Sequence, residues 1–153
     1  MKKYILAIAM MAAVALTVSA QWAVTETVDP ITDVSRATFI YTEDGFSPAL
    51  AIRFEGSSMD AFIYWRKYFD KAEPVIVRFD KEEITKHPVT LSSDGTATFF
   101  LLPFVILANL LTYDQAVFRA MPYRENPVML IVPCAEFKEL YAQYKARLDL
   151  SGE

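Results

Sequence analysis

The 153-residue chain contains one cysteine and one histidine, Cys134 and His87, and both low counts exclude particular chemistry. A single cysteine cannot form a disulfide within the chain, so the fold must be held together by packing. Zinc sites are built mainly from several histidine and cysteine side chains, which this chain does not have. We therefore predict no metal and no other cofactor. Cys134 is interpreted as a buried apolar side chain, with a disulfide between two chains as the open alternative to a monomer.

Glycine and clustered positive charge are also scarce. The four glycines are scattered at positions 45, 56, 95 and 152, so the chain has no glycine-rich phosphate-binding loop. No run of lysine and arginine is present. Because two of the 15 basic residues lie among the first twenty, the rest of the chain carries 13 basic and 19 acidic side chains, a net charge of −6. Such a surface repels phosphates, and we expect no nucleic-acid binding.

The residues that remain for catalysis fit structural roles better. His87 precedes Pro88 in a polar stretch, and we interpret it as a solvated loop histidine rather than the base of a triad with nearby serines. Asp29 and Asp33 lie four residues apart, the spacing of turn carboxylates that cap backbone amides. We prefer that interpretation to an acid–base pair acting on a glycan. The prediction is that this protein is not an enzyme.

Residues 1–20 have the pattern of a secretory signal peptide. Lys2 and Lys3 are followed by an uncharged apolar stretch from Tyr4 to Leu16, and residues 18–20 read Val-Ser-Ala, a signal-peptidase cleavage context. The apolar stretch is shorter than the roughly 20 residues of a membrane span. We expect cleavage after residue 20, a mature chain that does not span the membrane, and a periplasmic or secreted bacterial location.

Short segments rich in β-branched and aromatic residues recur along the rest of the chain, separated by turn residues. They predict strands at 22–28, 36–42, 49–54, 60–65, 74–79, 89–91, 96–100, 116–121 and 128–132. An apolar run opened by Pro103 predicts a helix over 103–111, and an amphipathic pattern predicts a second over 135–148. The predicted class is α+β and mainly antiparallel β: a single β-rich domain over 21–153, sandwich-like, with two packed helices.

Three arginines lie inside strand patterns: Arg53, Arg78 and Arg119. If their strands pair with one another, the guanidinium groups line one sheet face and can bind a partner's carboxylates. The alternative is an ordinary solvated face with ion pairs of little energetic consequence, the candidate acids being Asp60, Asp80 and Glu125. Trp65 and Tyr123 are added to the predicted contact residues, because an exposed aromatic patch is typical of a binding surface.

The order of these segments resembles a family of small exported bacterial and prophage proteins similar to TagO/VasI, the type VI secretion accessory proteins. The resemblance is carried, in order along the chain, by Trp22 with residues 29–33 (DPITD), residues 53–56 (RFEG), 63–69 (IYWRKYF), 75–80 (VIVRFD), 91–99 (LSSDGTATF) and 119–128 (RAMPYRENPV). The family usually has a cysteine where this chain has Phe54, and a second near the C-terminus that nothing replaces here. The resemblance implies a periplasmic accessory role.

The leading functional hypothesis is therefore an exported, non-enzymatic interaction protein that binds an envelope protein or the cell wall through a sheet face. The alternative is a sandwich protein that binds a small hydrophobic ligand or a lipid. The apolar run from Phe99 to Leu111 motivates that alternative.

Overall fold

The computed structural model describes residues 21–46 and 48–151, with the backbone alone for 148–151. The predicted signal peptide lies outside the described residues. Within them the chain forms ten strands and two helices, in this order: β1 (Gln21–Val28), β2 (Ser35–Thr42), β3 (Ala49–Glu55), β4 (Ser58–Tyr64), β5 (Val75–Phe79), β6 (Thr85–His87), β7 (Val89–Leu91), β8 (Ala97–Phe100), α1 (Pro103–Thr112), β9 (Gln115–Ala120), β10 (Val128–Pro133) and α2 (Ala135–Ser151).

The strands form two sheets in which every pairing is antiparallel. The large sheet has six strands in the order β1-β2-β3-β4-β8-β7, and the small sheet has four in the order β10-β9-β5-β6. The predicted class, mainly antiparallel β with two packed helices in a sandwich-like arrangement, is confirmed. Helix α1 ends one residue beyond the predicted 103–111, and α2 extends to Ser151 instead of residue 148.

Both sheets and both helices contribute to one hydrophobic core. Phe39 of the large sheet, Phe118 of the small sheet, Ile106 of α1 and Phe137 of α2 are all fully buried. The Phe137 ring centroid lies 4.7 Å from that of Trp22, and the Trp22 indole donates a hydrogen bond to the carbonyl of Pro133 at 2.8 Å. The core is therefore closed without a disulfide.

The interpretation of His87 as a solvated loop histidine was wrong. Residues 85–87 form strand β6, paired with β5, and His87 is only 8 % exposed. The His87 Nε2 lies 2.8 Å from the Thr85 hydroxyl, and burial lowers the pKa of the imidazole. Residues 85–87 have Lys86 at their centre and show no apolar alternation, so the sequence alone does not indicate a strand. The strand is recognised only by its pairing with β5. Pro88 then separates β6 in the small sheet from β7 in the large one.

Candidate functional site

The outer face of the small sheet carries most of the predicted contact chemistry. Residues alternate between the core and the outer side along each strand, and directly paired residues share a side. Arg119 on β9 is opposite Ile76 on β5 and Met129 on β10, while Val117 is opposite Arg78 and Ile131. We call the outward-facing set on these strands the small-sheet face: Ile76, Arg78, Val117, Arg119, Met129 and Ile131.

Two large apolar side chains of the small-sheet face are exposed. Met129 is 56 % and Ile131 is 42 % exposed, and they lie two residues apart on the edge strand β10. Arg119 is exposed beside Met129, and it forms no ion pair or side-chain hydrogen bond within the part of the chain that the structure describes. Adjacent exposed apolar and cationic side chains are the composition expected of a protein-binding surface.

Arg78 belongs to this face but also stabilises a turn. Its Nε donates to the carbonyl of Glu82 at 3.0 Å, and its Nη2 donates to the carbonyl of Lys81 at 3.2 Å. Asp80, predicted as a possible ion-pair partner, instead accepts from the backbone N–H groups of Asp114 and Gln115 at 3.2 and 2.9 Å. Arg78 is therefore partly committed to the β5–β6 turn, and Arg119 is the less constrained cation.

Arg53 does not share a face with the other two arginines. The arginines were predicted to share a face if their strands pair with one another. Strands β5 and β9 do pair in the small sheet, but β3 belongs to the large sheet. The Arg53 Nε donates to Asp60 at 3.2 Å, which confirms the predicted ion pair, and its guanidinium carbon lies 5.3 Å from the Phe62 ring centroid. The Arg53 guanidinium is therefore already paired with neighbouring side chains of the large sheet.

Trp65 is excluded as a direct contact residue because its side chain is buried. The residue is 2 % exposed, and its indole Nε1 donates to the Thr98 hydroxyl at 3.0 Å. Ile63 and Trp65 both point inward while Tyr64 between them is 40 % exposed, as strand alternation requires. Of these two neighbouring aromatic residues, Trp65 therefore lies in the core and Tyr64 lies at the surface.

Tyr123 is 42 % exposed and lies in the loop that follows β9. Its backbone N–H donates to the carbonyl of Tyr68 at 2.8 Å, and the two rings meet edge-on with centroids 6.0 Å apart. The Lys67 ammonium lies 3.4 Å from the Glu125 carboxylate in the same contact. The loop before β5 and the loop after β9 therefore support each other beside the small-sheet face.

A cavity of about 380 Å³ opens at this end of the small-sheet face. Its polar lining includes Glu73, Lys86, Thr98 and Arg119, and its apolar lining includes Phe69, Ile76 and Met121. Sequence reasoning identified Arg119 but missed the other polar residues. Lys86 became part of the site only through the pairing of β6 with β5, for which the sequence carries no apolar signal.

The remaining candidates for chemistry are engaged in structure. Cys134 is confirmed as buried, and burial raises the pKa of its thiol to about 11. Asp29 accepts backbone N–H bonds from Ile31 and Thr32 at 2.8 and 3.3 Å, which lowers its pKa and confirms the capping role predicted for it. Residues 21–46 and 48–151 contain no group of three histidine, cysteine or carboxylate side chains placed to hold a metal ion.

Among the helices in those same ranges, none has both the length and the apolar character needed to cross a membrane. Comparison with protein-family models, with curated proteins and with solved structures finds no match to this chain.

Proposed function

We propose that this chain is an exported, non-enzymatic interaction protein of the bacterial envelope, and that the small-sheet face binds another envelope protein. The export pattern of residues 1–20 supports the location. The observation that carries the binding proposal is the exposure of Met129 and Ile131 beside Arg119, which has no partner among the described side chains.

Charge complementarity indicates the chemistry of the partner. The chain beyond its first twenty residues has a net charge of −6, yet the outward strand positions of the small sheet carry Arg78, Lys86 and Arg119 and no acid. A partner surface with carboxylates between apolar side chains matches this face, since guanidinium groups bind carboxylates with two hydrogen bonds. A glycan strand would leave Met129 and Ile131 without apolar contacts, so we favour a protein.

The face is held in place before any partner binds. Strand β9 lies between β10 and β5, and its backbone is hydrogen-bonded on both sides. Arg119 lies on this central strand, whose backbone is ordered before binding and therefore loses little entropy when a partner binds, which favours affinity. Of the apolar run that motivates the lipid alternative, Ile106, Leu107 and Leu110 lie in the core, whereas Leu101, Leu102, Phe104 and Val105 are exposed. A lipid-binding function would use these exposed side chains.

Crosslinking in intact periplasm, identification of the captured protein and affinity measurement with that purified protein test the proposal. We expect Arg119→Glu and Met129→Glu each to weaken binding at least tenfold with an unchanged thermal midpoint. Lys145→Glu on the exposed side of α2 introduces the same charge change as Arg119→Glu away from the face, and serves as the control.

Equal affinity of the wild type and both face variants would overturn the proposal. Co-sedimentation with purified cell wall that is lost in Arg119→Glu, without capture of any protein, would assign the face to peptidoglycan instead. We use Arg119 rather than Arg78 for the test because Arg78 also holds the β5–β6 turn.

A further inference from the structure

We propose that the cavity beside Arg119 binds a small zwitterion, an α-amino acid or dipeptide with an apolar side chain. This inference goes beyond the proposed protein–protein contact, which centres on Met129 and Ile131 of the neighbouring edge strand β10. The two sites share Arg119, so the experiment is designed to separate them.

Two cations reach the cavity from opposite sides of one apolar residue. Ile76 on β5 is paired with Arg119 on β9 and with Lys86 on β6, so the three side chains form one cross-strand row. Directly opposite Cβ atoms in antiparallel strands are about 4.5–5.5 Å apart, so the long side chains of Arg119 and Lys86 can meet above Ile76. Both line the cavity, and neither forms an ion pair with any residue that the structure describes. This arrangement fits a ligand carboxylate.

Glu73 gives the cavity a second kind of charge. It lines the same space, yet it makes no ion pair with Lys86 or Arg119 or with any other described side chain. If Glu73 formed an ion pair with Lys86 or Arg119, the cavity would offer a ligand only the remaining positive charge. Because Glu73 remains separate from them, the cavity presents both signs of charge, and an ammonium group beside a carboxylate matches that pattern.

Thr98 supplies a buried donor. It is 2 % exposed and lines the cavity, and its hydroxyl oxygen accepts the Trp65 indole N–H at 3.0 Å. That bond uses an acceptor lone pair, and the hydroxyl proton itself has no acceptor within residues 21–46 and 48–147. A Thr hydroxyl both donates and accepts, so the proton is available to a ligand oxygen.

The size and the apolar walls limit the ligand to a small molecule. The volume of about 380 Å³ lies at the lower end of the range of roughly 300–1,000 Å³ for small-molecule sites. Phe69, Ile76 and Met121 provide apolar contacts for a side chain. The wall at Phe69 is fixed, because its backbone N–H donates to the carbonyl of Gly95 at 2.9 Å. These dimensions fit an amino acid or a dipeptide better than a lipid chain.

Isothermal titration calorimetry of the purified protein tests the assignment with leucine and the dipeptide Leu-Leu as probes. N-acetyl-leucine lacks the ammonium group, and leucinamide lacks the carboxylate. We expect saturable binding of at least one probe and at least tenfold weaker binding of both blocked leucines. Arg119→Gln and Lys86→Gln should each weaken probe binding at least fivefold, while Lys145→Gln on α2 should leave it within twofold.

Glu73→Gln provides the sharpest test, because it should reduce the preference for leucine over N-acetyl-leucine to less than threefold. Failure of both probes to bind at millimolar concentration overturns the proposal, as does binding that is indifferent to blocking either end. Ile131→Ser separates the two sites, because Ile131 is opposite Val117 and does not line the cavity: it should weaken capture of the protein partner and leave probe binding unchanged. Loss of probe binding in Ile131→Ser would contradict the assignment to this cavity.

Discussion

Gly95 lies in the turn between β7 and β8, where a single added carbon should strain the contact between two loops. Its φ of +70° is in the left-handed region, its N–H donates to the carbonyl of Ser92, and its carbonyl accepts from Phe69 at 2.9 Å. A Cβ at this position would lie 2.9 Å from the Phe69 carbonyl oxygen and 2.9 Å from the Tyr68 ring. The Phe69 atom belongs to the backbone, so it cannot move aside as a flexible side chain would.

The cost of Gly95→Ala has two parts. A left-handed conformation costs a non-glycine residue about 1–2 kcal/mol, and forcing an extra carbon into occupied space costs about 1–3 kcal/mol. Together they predict a loss of about 2–5 kcal/mol in the free energy of unfolding. Gly56 is a matched control: its φ is +56°, but an added Cβ would meet only Val34 Cγ1, at an ordinary 3.6 Å. Gly56→Ala should therefore lose only about 1–2 kcal/mol.

Urea unfolding followed by tryptophan fluorescence measures both variants against the wild type. We expect a lower midpoint for each at an unchanged m-value, with the larger shift for Gly95→Ala. The same loss of stability in the two variants would show that the Tyr68–Phe69 backbone does not pack against this turn. The reasoning from the close approach would then be refuted.

Two further predictions concern the single histidine and the single cysteine. His87 is the only histidine, and because its pKa is lowered in the folded state, the unfolded state binds more protons as the pH falls through 6.5. Stability between pH 7 and 5 should therefore decrease on acidification by at most about 1.4 kcal/mol per pH unit, and His87→Gln should flatten that slope in pH-dependent urea unfolding. A slope unchanged in the variant would contradict the burial of the imidazole. For Cys134, burial and a thiol pKa of about 11 predict no reaction with a disulfide reagent at pH 8 until urea unfolds the chain. Rapid labelling of the native protein, or a dimer that only a reductant dissociates, would show that the thiol is accessible.

The local patterns identified most elements because most of the strands are rich enough in β-branched and aromatic residues to be recognised alone. Residues 89–91 form β7 with the predicted bounds, and Pro103 begins α1 as the sequence indicates. The burial of Trp65 also follows from the sequence, because Trp65 lies two residues after Ile63 and therefore on the same side of the strand. The prediction of Trp65 as a contact residue considered only its aromatic character. The type of each secondary-structure element, and the side of it that is buried, are local properties set by side-chain periodicity.

The sequence by itself determined the secondary-structure class, the dependence on packing instead of disulfides, and the apolar alternation of β5, β9 and β10. Only the tertiary structure decided that Arg53 lies in one sheet and Arg119 in another, although both arginines stand among similar apolar neighbours. It also brought Lys86 and Glu73 to the same cavity as Arg119 and buried His87. The physical reason is that strand pairing joins segments far apart along the chain, and the packing of the whole core selects the pairing that buries the most apolar surface.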